Sequence, residues 1–406
     1  MPAYAMAPAR PPHVPAELVF DYDVFEPGPP GSDFYVELYA LKHRAPPVFW
    51  TPYNGGHWYT TDSDLTEQVL GDNIRFSNQV LQLPRENNPP PGKGYAPMFL
   101  DPPDHAAYRH LLLVALSRKA VTDLIPKIRA LAVDLIEDMK PRGRCDFITE
   151  FAYQLPVITF FGLTNLPERY HDRMKELVRG IVDAHSDKAQ LFRDLSDHLA
   201  SFVDDRIANP GDDLISHLSR QEVNGAPITP EKLRGMTELL LLAGQDTVAN
   251  TFGFIAAFLA ANPEHRRWIS NHPERASHAI DELMRRFPVV ANGTARLCVA
   301  EAELGDARIL PGDPILATPT MMNFDDRLYP DPLKVDFERH LANTGSFGRG
   351  PHRCVGAGLA RAELSIFLEE WLPRIPEFRI AEDSPPRFVP GVTISYDRLM
   401  LEWPTA

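Results

Sequence analysis

Apolar residues recur at intervals of three and four positions between about residue 100 and residue 290. Such spacing puts them on one face of successive helices, so this part of the chain predicts a helical body. The first fifty residues and the last hundred differ, because short β-rich pieces such as HWYTT and PILATP stand there among proline turns. The pattern therefore predicts a mainly α-helical fold with small flanking sheets. Since we find no internal repeat and no linker, we expect a single domain over residues 1–406, with residues 1–20 as an extended N-terminal arm.

The longest predicted helix runs from a cap at Thr229 to Asn262 and is apolar nearly all round. A helix of this kind is buried on most sides. Its middle is unusual, because residues 243–247 read AGQDT and place a glycine, an acid and a hydroxyl in the interior. A buried carboxylate is costly unless it is paired. The segment alone favours a structural explanation, in which the glycine allows close packing and the polar pair bonds to a neighbour.

Charge and cysteine content narrow the class of protein. The formal net charge is −14, whereas a face that binds nucleic acid or an anionic membrane needs clustered positive charge, so we expect neither partner. The N-terminal stretch MPAYAMAPARPPHVPAEL lacks the apolar core of a signal peptide, and no run of eighteen apolar residues occurs. Cys145, Cys298 and Cys354 are too few and too far apart for a disulfide framework. We expect a cytoplasmic protein, and a monomer.

Residues 346–361 read SFGRGPHRCVGAGLAR, and Cys354 stands just before a predicted helix. The helix N-terminus and the neighbouring basic residues favour a thiolate, while the glycines leave room for a broad flat group near the sulfur. Zinc and iron-sulfur sites need three or four ligands, and C-x-x-C is absent. Without C-x-x-C-H, covalently attached haem is also excluded. A cysteine hydrolase leaves the glycines and the buried acid and hydroxyl without a role, so haem with one axial thiolate remains.

These segments resemble the cytochrome P-450 family. FGRGPHRCVG matches its haem loop, and AGQDT matches its oxygen-binding helix. Glu282 and Arg285 in DELMRRF, with Arg339, match its structural ion-pair network. The resemblance extends to the soluble bacterial camphor monooxygenase through PPHVPAELVFDYD, NGGHW, LDPPDHAAYRHL and EEWLPRIPEFRIA. It covers essentially the whole chain, and it implies the family's fold and a haem b cofactor.

The resemblance assigns Cys354 as the axial ligand of the iron. It also places residues near the haem, namely Phe347 and Gly348 in the haem loop and His352, Arg109, Arg296 and His105 at the propionates. His105 precedes Arg109 by one helical turn, and the alternative for it is a surface residue beside Asp104. Ala243 and Gly244 are expected to leave room for dioxygen. Thr247 is expected to bond the oxygen and Asp246 to relay protons from solvent.

The resemblance to the camphor enzyme is weaker at the residues of the substrate pocket. The matched positions are mostly apolar and branched, and they are Leu239, Leu242, Val289, Val290 and Thr393. Lys93 stands where the camphor enzyme has a tyrosine, and Tyr95 two residues later either contacts substrate or packs elsewhere. These residues imply a compact hydrophobic substrate, such as a camphor-like or 1,8-cineole-like monoterpenoid. Another substrate class, such as a fatty acid, an aromatic compound or a norisoprenoid, is the alternative.

The resemblance also implies that the electrons come from a separate protein. The chain has no flavin or iron-sulfur module, so electrons from NAD(P)H should arrive through a 2Fe-2S ferredoxin and its reductase. Arg109, Arg118 and Lys119 are candidates for the docking face. Two other hypotheses remain open. A peroxide-driven haem-thiolate oxygenase would dispense with the proton relay at Asp246 and Thr247, and a haem sensor would need a second domain to report binding.

Overall fold

Helices make up most of the protein in the computed structural model, which describes residues 6–7, 9–29, 32–182 and 188–405. Within these ranges the α-helices are α1 (Phe34–Arg44), α2 (Ser63–Gly71), α3 (Asp104–Ala115), α4 (Arg118–Met139), α5 (Gln154–Thr164), α6 (His171–Val182), α7 (Lys188–Ala208), α8 (Leu214–Ser219), α9 (Pro230–Ala261), α10 (Pro263–Asn271), α11 (Ala276–Arg286) and α12 (Ala357–Arg374). The predicted mainly α-helical fold is confirmed.

The strands are short. They are β1 (Val48–Thr51), β2 (His57–Thr60), β3 (Phe76–Ser77), β4 (Arg144–Asp146), β5 (Glu222–Val223), β6 (Ala226–Pro227), β7 (Ala295–Cys298), β8 (Ala302–Leu304), β9 (Ala307–Ile309), β10 (Pro314–Leu316), β11 (Arg379–Ile380), β12 (Phe388–Val389), β13 (Ser395–Tyr396) and β14 (Met400–Glu402). The segments HWYTT and PILATP form β2 and β10, as their β-rich composition predicts.

The residue contacts divide into two compact units. Unit 1 comprises the described residues up to Ala106, with Asp281–Cys354 and Pro390–Ile394, and unit 2 comprises the rest. That the chain is a single domain stays a prediction, as does the extended arm. Residues 1–5 and 8 of that arm lie outside the described residues. Further along it, Ala16–Leu18 forms a 3-10 turn and Val19 pairs in parallel with Trp50.

Unit 1 is built on a five-stranded sheet with the strand order β1-β2-β10-β7-β3. β10 runs parallel to β2, and the other neighbours are antiparallel. Trp50 opposes Trp58 across β1 and β2, and both side chains are buried in a core that includes Val14 of the arm. The hairpin of β8 and β9 packs against the same core.

Unit 2 is organised around α9. The Thr229 side chain accepts a hydrogen bond from the Lys232 N–H, Pro230 occupies the first turn, and Asn262 caps the other end, so the predicted bounds of this helix are confirmed. Among the described helices, α9 is the one whose length and apolar composition would let it cross a membrane. Most of its apolar stretch is buried, as expected of a core helix.

Candidate active site

The loop before α12 is shaped by glycines. Gly348 and Gly350 have φ of +73° and +67°, a left-handed region that other residues adopt at a cost. A Cβ on Gly350 would lie 2.1 Å from the carbonyl oxygen of Leu70, so the backbone of α2 comes too close for any side chain. The Cys354 N–H donates to the Phe347 carbonyl oxygen at 2.9 Å. These contacts hold the cysteine in one backbone conformation.

Cys354 differs from the other two cysteines in exposure. It is exposed, whereas Cys145 and Cys298 are buried. Burial raises the pKa of the Cys298 thiol to about 11 and raises the pKa of Cys145 further, so both stay protonated. Cys354 also lies three residues before α12, whose N-terminal N–H groups favour an anionic sulfur. Cys354 is therefore the thiol suited to bind a metal.

Three basic residues that we predicted at the propionates lie in unit 1. The rings of His105 and His352 are 3.9 Å apart between centroids, and Asn78 Nδ2 lies 3.0 Å from His352 Nδ1. His105 is 3% exposed, which excludes the surface alternative. The Asn78 backbone N–H donates to Asp101 at 2.8 Å. Arg109, the fourth predicted residue, is half-buried in α3.

Arg296 is the most informative of the three. It is 4% exposed, and its guanidinium donates to the carbonyl oxygens of Thr294 at 3.3 Å and Ala295 at 2.9 Å. Burial lowers its pKa to about 10, although the charge of Asp101 acts in the opposite direction. A buried cation is stable when an anion with hydrogen-bonding oxygens lies against it. The carboxylates of a haem meet this requirement.

Glu282, Arg285 and Arg339 come together in the interior of unit 1. Arg285 Nε lies 2.7 Å from Glu282 Oε2, and neither side chain is exposed. Arg339 Nε lies 3.3 Å from Glu282 Oε1. Arg285 also donates to the carbonyl oxygens of Asn323, Pro332 and Lys334, so the donors of the buried guanidinium are satisfied. Spacing in the sequence could suggest the first pair, but only the fold adds these carbonyl groups.

The middle of α9 has a local opening. Ala243 and Gly244 are exposed, although most residues of this helix on their C-terminal side are buried. No atom lies within 4 Å of a Cβ built on Gly244. The Thr247 hydroxyl donates to the Ala243 carbonyl oxygen at 2.7 Å. This side of α9 therefore presents a shallow depression, bordered by a hydroxyl that is satisfied within the helix. Gln245 is 7% exposed, and the structure gives no reason for this amide in an apolar helix.

Asp246 accepts hydrogen bonds from two side chains that the sequence analysis did not name. The Tyr153 hydroxyl and Asn250 Nδ2 each donate to Asp246 Oδ1 at 3.2 Å. Asn250 follows Asp246 by one helical turn, so its spacing could have indicated the contact. Tyr153 precedes Asp246 by more than ninety residues, and no local pattern connects them.

The predicted substrate residues fall in both units. In unit 1, Val290 forms an antiparallel bridge with Thr393, and the Ile394 N–H donates to the Val289 carbonyl oxygen at 2.9 Å. Leu239 and Leu242 lie on α9 in unit 2. Tyr95 is half-buried in the segment between β3 and α3, and Lys93 in the same segment is exposed.

Comparison with known proteins decides the family. Residues 275–390 match the family model described as Cytochrome P-450. The chain is 32% identical to a Sinorhizobium fredii protein named probable cytochrome P-450 127A1, over 97% of this chain and 96% of that relative. This protein belongs to the cytochrome P-450 family. The P-450 is also similar to the crystal structure of CYP101J2, with 37% identity, a TM-score of 0.88 and coverage of 98% of this chain and 100% of that one. The structure of CYP101C1 gives 35% identity, a TM-score of 0.89 and the same coverage.

The P-450 is accordingly a monooxygenase that uses haem b held by a cysteine thiolate and electrons from external donors. The predicted family, fold and cofactor are confirmed. The side chains of unit 1 fit this group. An exposed thiol lies in a glycine loop, and a buried arginine and a pair of histidine rings offer cationic and hydrogen-bonding partners for carboxylates.

Proposed function

We propose that this P-450 hydroxylates a small alicyclic or bicyclic monoterpenoid, of the size of camphor or 1,8-cineole, in the cytoplasm. The observation that carries the proposal is the β-bridge between Val290 and Thr393, two half-buried β-branched residues, with the buried Val289 beside it. Branched side chains held by main-chain pairing make a rigid wall, which suits a compact substrate better than a long flexible chain. The exposed Lys93, in place of the camphor enzyme's tyrosine, predicts a different position of hydroxylation or a different ketone or ether.

In this proposal Cys354 is the axial ligand, supported by the Phe347 and Gly348 turn. Arg296, His105, His352 and Arg109 hold the propionates. Glu282, Arg285 and Arg339 have a structural role, because they join α11 to the segment before the cysteine loop. Bound haem supplies the activation of dioxygen at the expense of two electrons.

In this proposal the polar residues of α9 transfer protons from solvent. Ala243 and Gly244 leave room for dioxygen. The Asp246 carboxylate takes up protons from solvent, and the Thr247 hydroxyl, which already donates to Ala243, holds a proton at its Oγ1. An acid beside a hydroxyl in an apolar helix is what a relay needs, because a proton is passed between positioned groups that can donate and accept hydrogen bonds. A peroxide-driven oxygenase would not need this pair.

A titration of the ferric protein tests the substrate. Bicyclic monoterpenoids should shift the haem from low spin to high spin at lower concentration than linear fatty acids of equal carbon number. Val290→Phe should weaken terpenoid binding by about tenfold, as expected when overpacking costs about 1.4 kcal/mol. Val299→Phe is the matched control, because Val299 is 47% exposed on unit 1. Tight binding of fatty acids with no terpenoid response would overturn the substrate class and leave the family intact.

The proposed electron donor is a 2Fe-2S ferredoxin reduced by an NAD(P)H-dependent reductase. Leu113 and Val114 on α3 are 46% and 50% exposed, and the basic Arg109, Arg118 and Lys119 lie close to them in the chain. An apolar centre with a basic rim suits an acidic protein. Reduction should slow as salt rises, because exposed charges are screened over ~10 Å at 0.1 M.

Arg118→Glu should lower the second-order rate of reduction, and Lys127→Glu, an exposed lysine further along α4, should not. Equal rates for both variants would exclude this face.

A further inference from the structure

A π-helical turn, Ile148–Ala152, precedes α5 and packs closely on α9. A Cβ on Gly253 would lie 2.8 Å from Ile148 Cδ1, and the rings of Phe151 and Phe252 meet edge to face at 5.7 Å. Extra residues in such turns re-aim a side chain and are frequent at functional sites. The next residue is Tyr153, so its direction is set by a turn that is held against α9.

Two donors converge on one oxygen. Tyr153 Oη and Asn250 Nδ2 each lie 3.2 Å from Asp246 Oδ1, the first on the residue that follows the π-helical turn and the second on α9 itself. An aspartate side chain has two torsions, and donors from two elements restrict both. The position of the Asp246 carboxylate is therefore determined by Tyr153 as well as by the helix.

The phenol remains a donor. Burial raises the pKa of Tyr153 well above its usual range, and the negative charge of Asp246 raises it further. A neutral hydroxyl that donates to a carboxylate forms a charge-assisted bond, which is stronger than a bond between neutral groups.

We propose that Tyr153 is a positioning residue of the proton relay, which holds Asp246 in the rotamer that serves Thr247. The inference rests on the proposed role of Asp246. It predicts that Tyr153→Phe keeps the fold and the haem but slows proton delivery, because the carboxylate gains rotational freedom.

The contact itself can be tested without turnover. The haem-loaded protein, reduced and under carbon monoxide, is prepared with ¹³Cζ-labelled tyrosine. The chain has 12 tyrosines, and the resonance lost in Tyr153→Phe assigns the residue. Asp246→Asn should then shift that resonance more than any other. A Tyr153 resonance that does not respond to Asp246→Asn would overturn the proposal.

Measurements during turnover distinguish a positioning role of Tyr153 from a purely structural one. Tyr153→Phe should slow oxygen uptake about threefold to tenfold. The variant loses one hydrogen bond to a charged group, and we expect part of the free energy of that bond to appear in the rate. It should also enlarge the solvent deuterium isotope effect, which a loss of packing alone would not do. Tyr170→Phe, at a buried tyrosine elsewhere in unit 2, is the matched control. If Asp246→Asn is slow but Tyr153→Phe behaves like the wild type, Tyr153 has no positioning role and the relay stands. If Asp246→Asn is as fast as the wild type, the relay and this inference both fail.

Discussion

The cysteine loop and the middle of α9 carry the two halves of the predicted chemistry, and they are built in different ways. The loop uses backbone conformations that need glycine, with Gly350 held against the Leu70 carbonyl oxygen. α9 keeps regular helical geometry through its centre, and its special features are side chains and the space beside Gly244. Under the proposed function, we expect a change in the loop to alter whether the haem is held. We expect a change in the helix to alter the delivery of protons instead.

The largest effect is expected at Cys354. Reduced wild-type protein under carbon monoxide should show the strongly red-shifted Soret band of thiolate-ligated haem, and Cys354→His should lose it completely, because the donor changes from an anion to a neutral ring. Cys145→Ala and Cys298→Ala are the matched controls and should keep the band. An unchanged spectrum in Cys354→His would remove the ligand assignment.

A pair of glycine substitutions compares the two regions directly. Gly350→Ala should cost about 2 kcal/mol or more, since a left-handed alanine is strained and its Cβ would meet a carbonyl oxygen. Gly244→Ala should instead stabilise α9 by about 0.5–1 kcal/mol, because open space lies beside it. Urea unfolding and the haem-to-protein ratio measure both. Equal stability of the two variants would contradict the contrast between loop and helix.

The buried Glu363 of unit 2 makes the free energy of unfolding depend on pH. Glu363 on α12 is 2% exposed, and burial raises its pKa to about 8. Because the folded pKa lies above the unfolded value, the folded state binds the extra proton, and stability should fall as pH rises from about 5 to 8. The slope is at most about 1.4 kcal/mol per pH unit. Glu363→Gln should flatten this fall in unfolding free energy. A slope that the variant leaves unchanged would show that Glu363 does not titrate in this range.

Thr247 gives the smallest change in stability and the clearest change in reaction. Thr247→Ala should lower the amount of product formed per nicotinamide oxidised by roughly tenfold, and hydrogen peroxide should be released instead. This decrease is smaller than the loss of rate that usually follows removal of a catalytic acid or base. Thr251→Ala is a close control, because both hydroxyls donate to the carbonyl oxygen four residues earlier at 2.7 Å. Asp246→Asn should slow oxygen uptake itself. Full coupling in Thr247→Ala would return this hydroxyl to a purely structural role.

Patterns along the chain were sufficient for the family, the haem loop and the bounds of α9. Each depends on residues that are neighbours in sequence: a cap and a proline at one helix end, or a cysteine among glycines. Local geometry follows from local sequence when a turn or a helix is the unit involved. The roles of the individual substrate residues could not be obtained in this way, because they depend on which side chains meet.

Other features were decided only by the tertiary structure. Tyr153 reaches Asp246 from a distant segment, Leu70 brings its carbonyl oxygen to Gly350, and three carbonyl groups satisfy Arg285. The raised pKa of Glu363 and the lowered pKa of Arg296 likewise arise from burial. The sequence by itself determined which chemical groups the protein carries and the local backbone that holds them. The partners and the solvent exposure of those groups depend on packing between segments far apart in the chain, and the strength of a charge or a hydrogen bond depends on both.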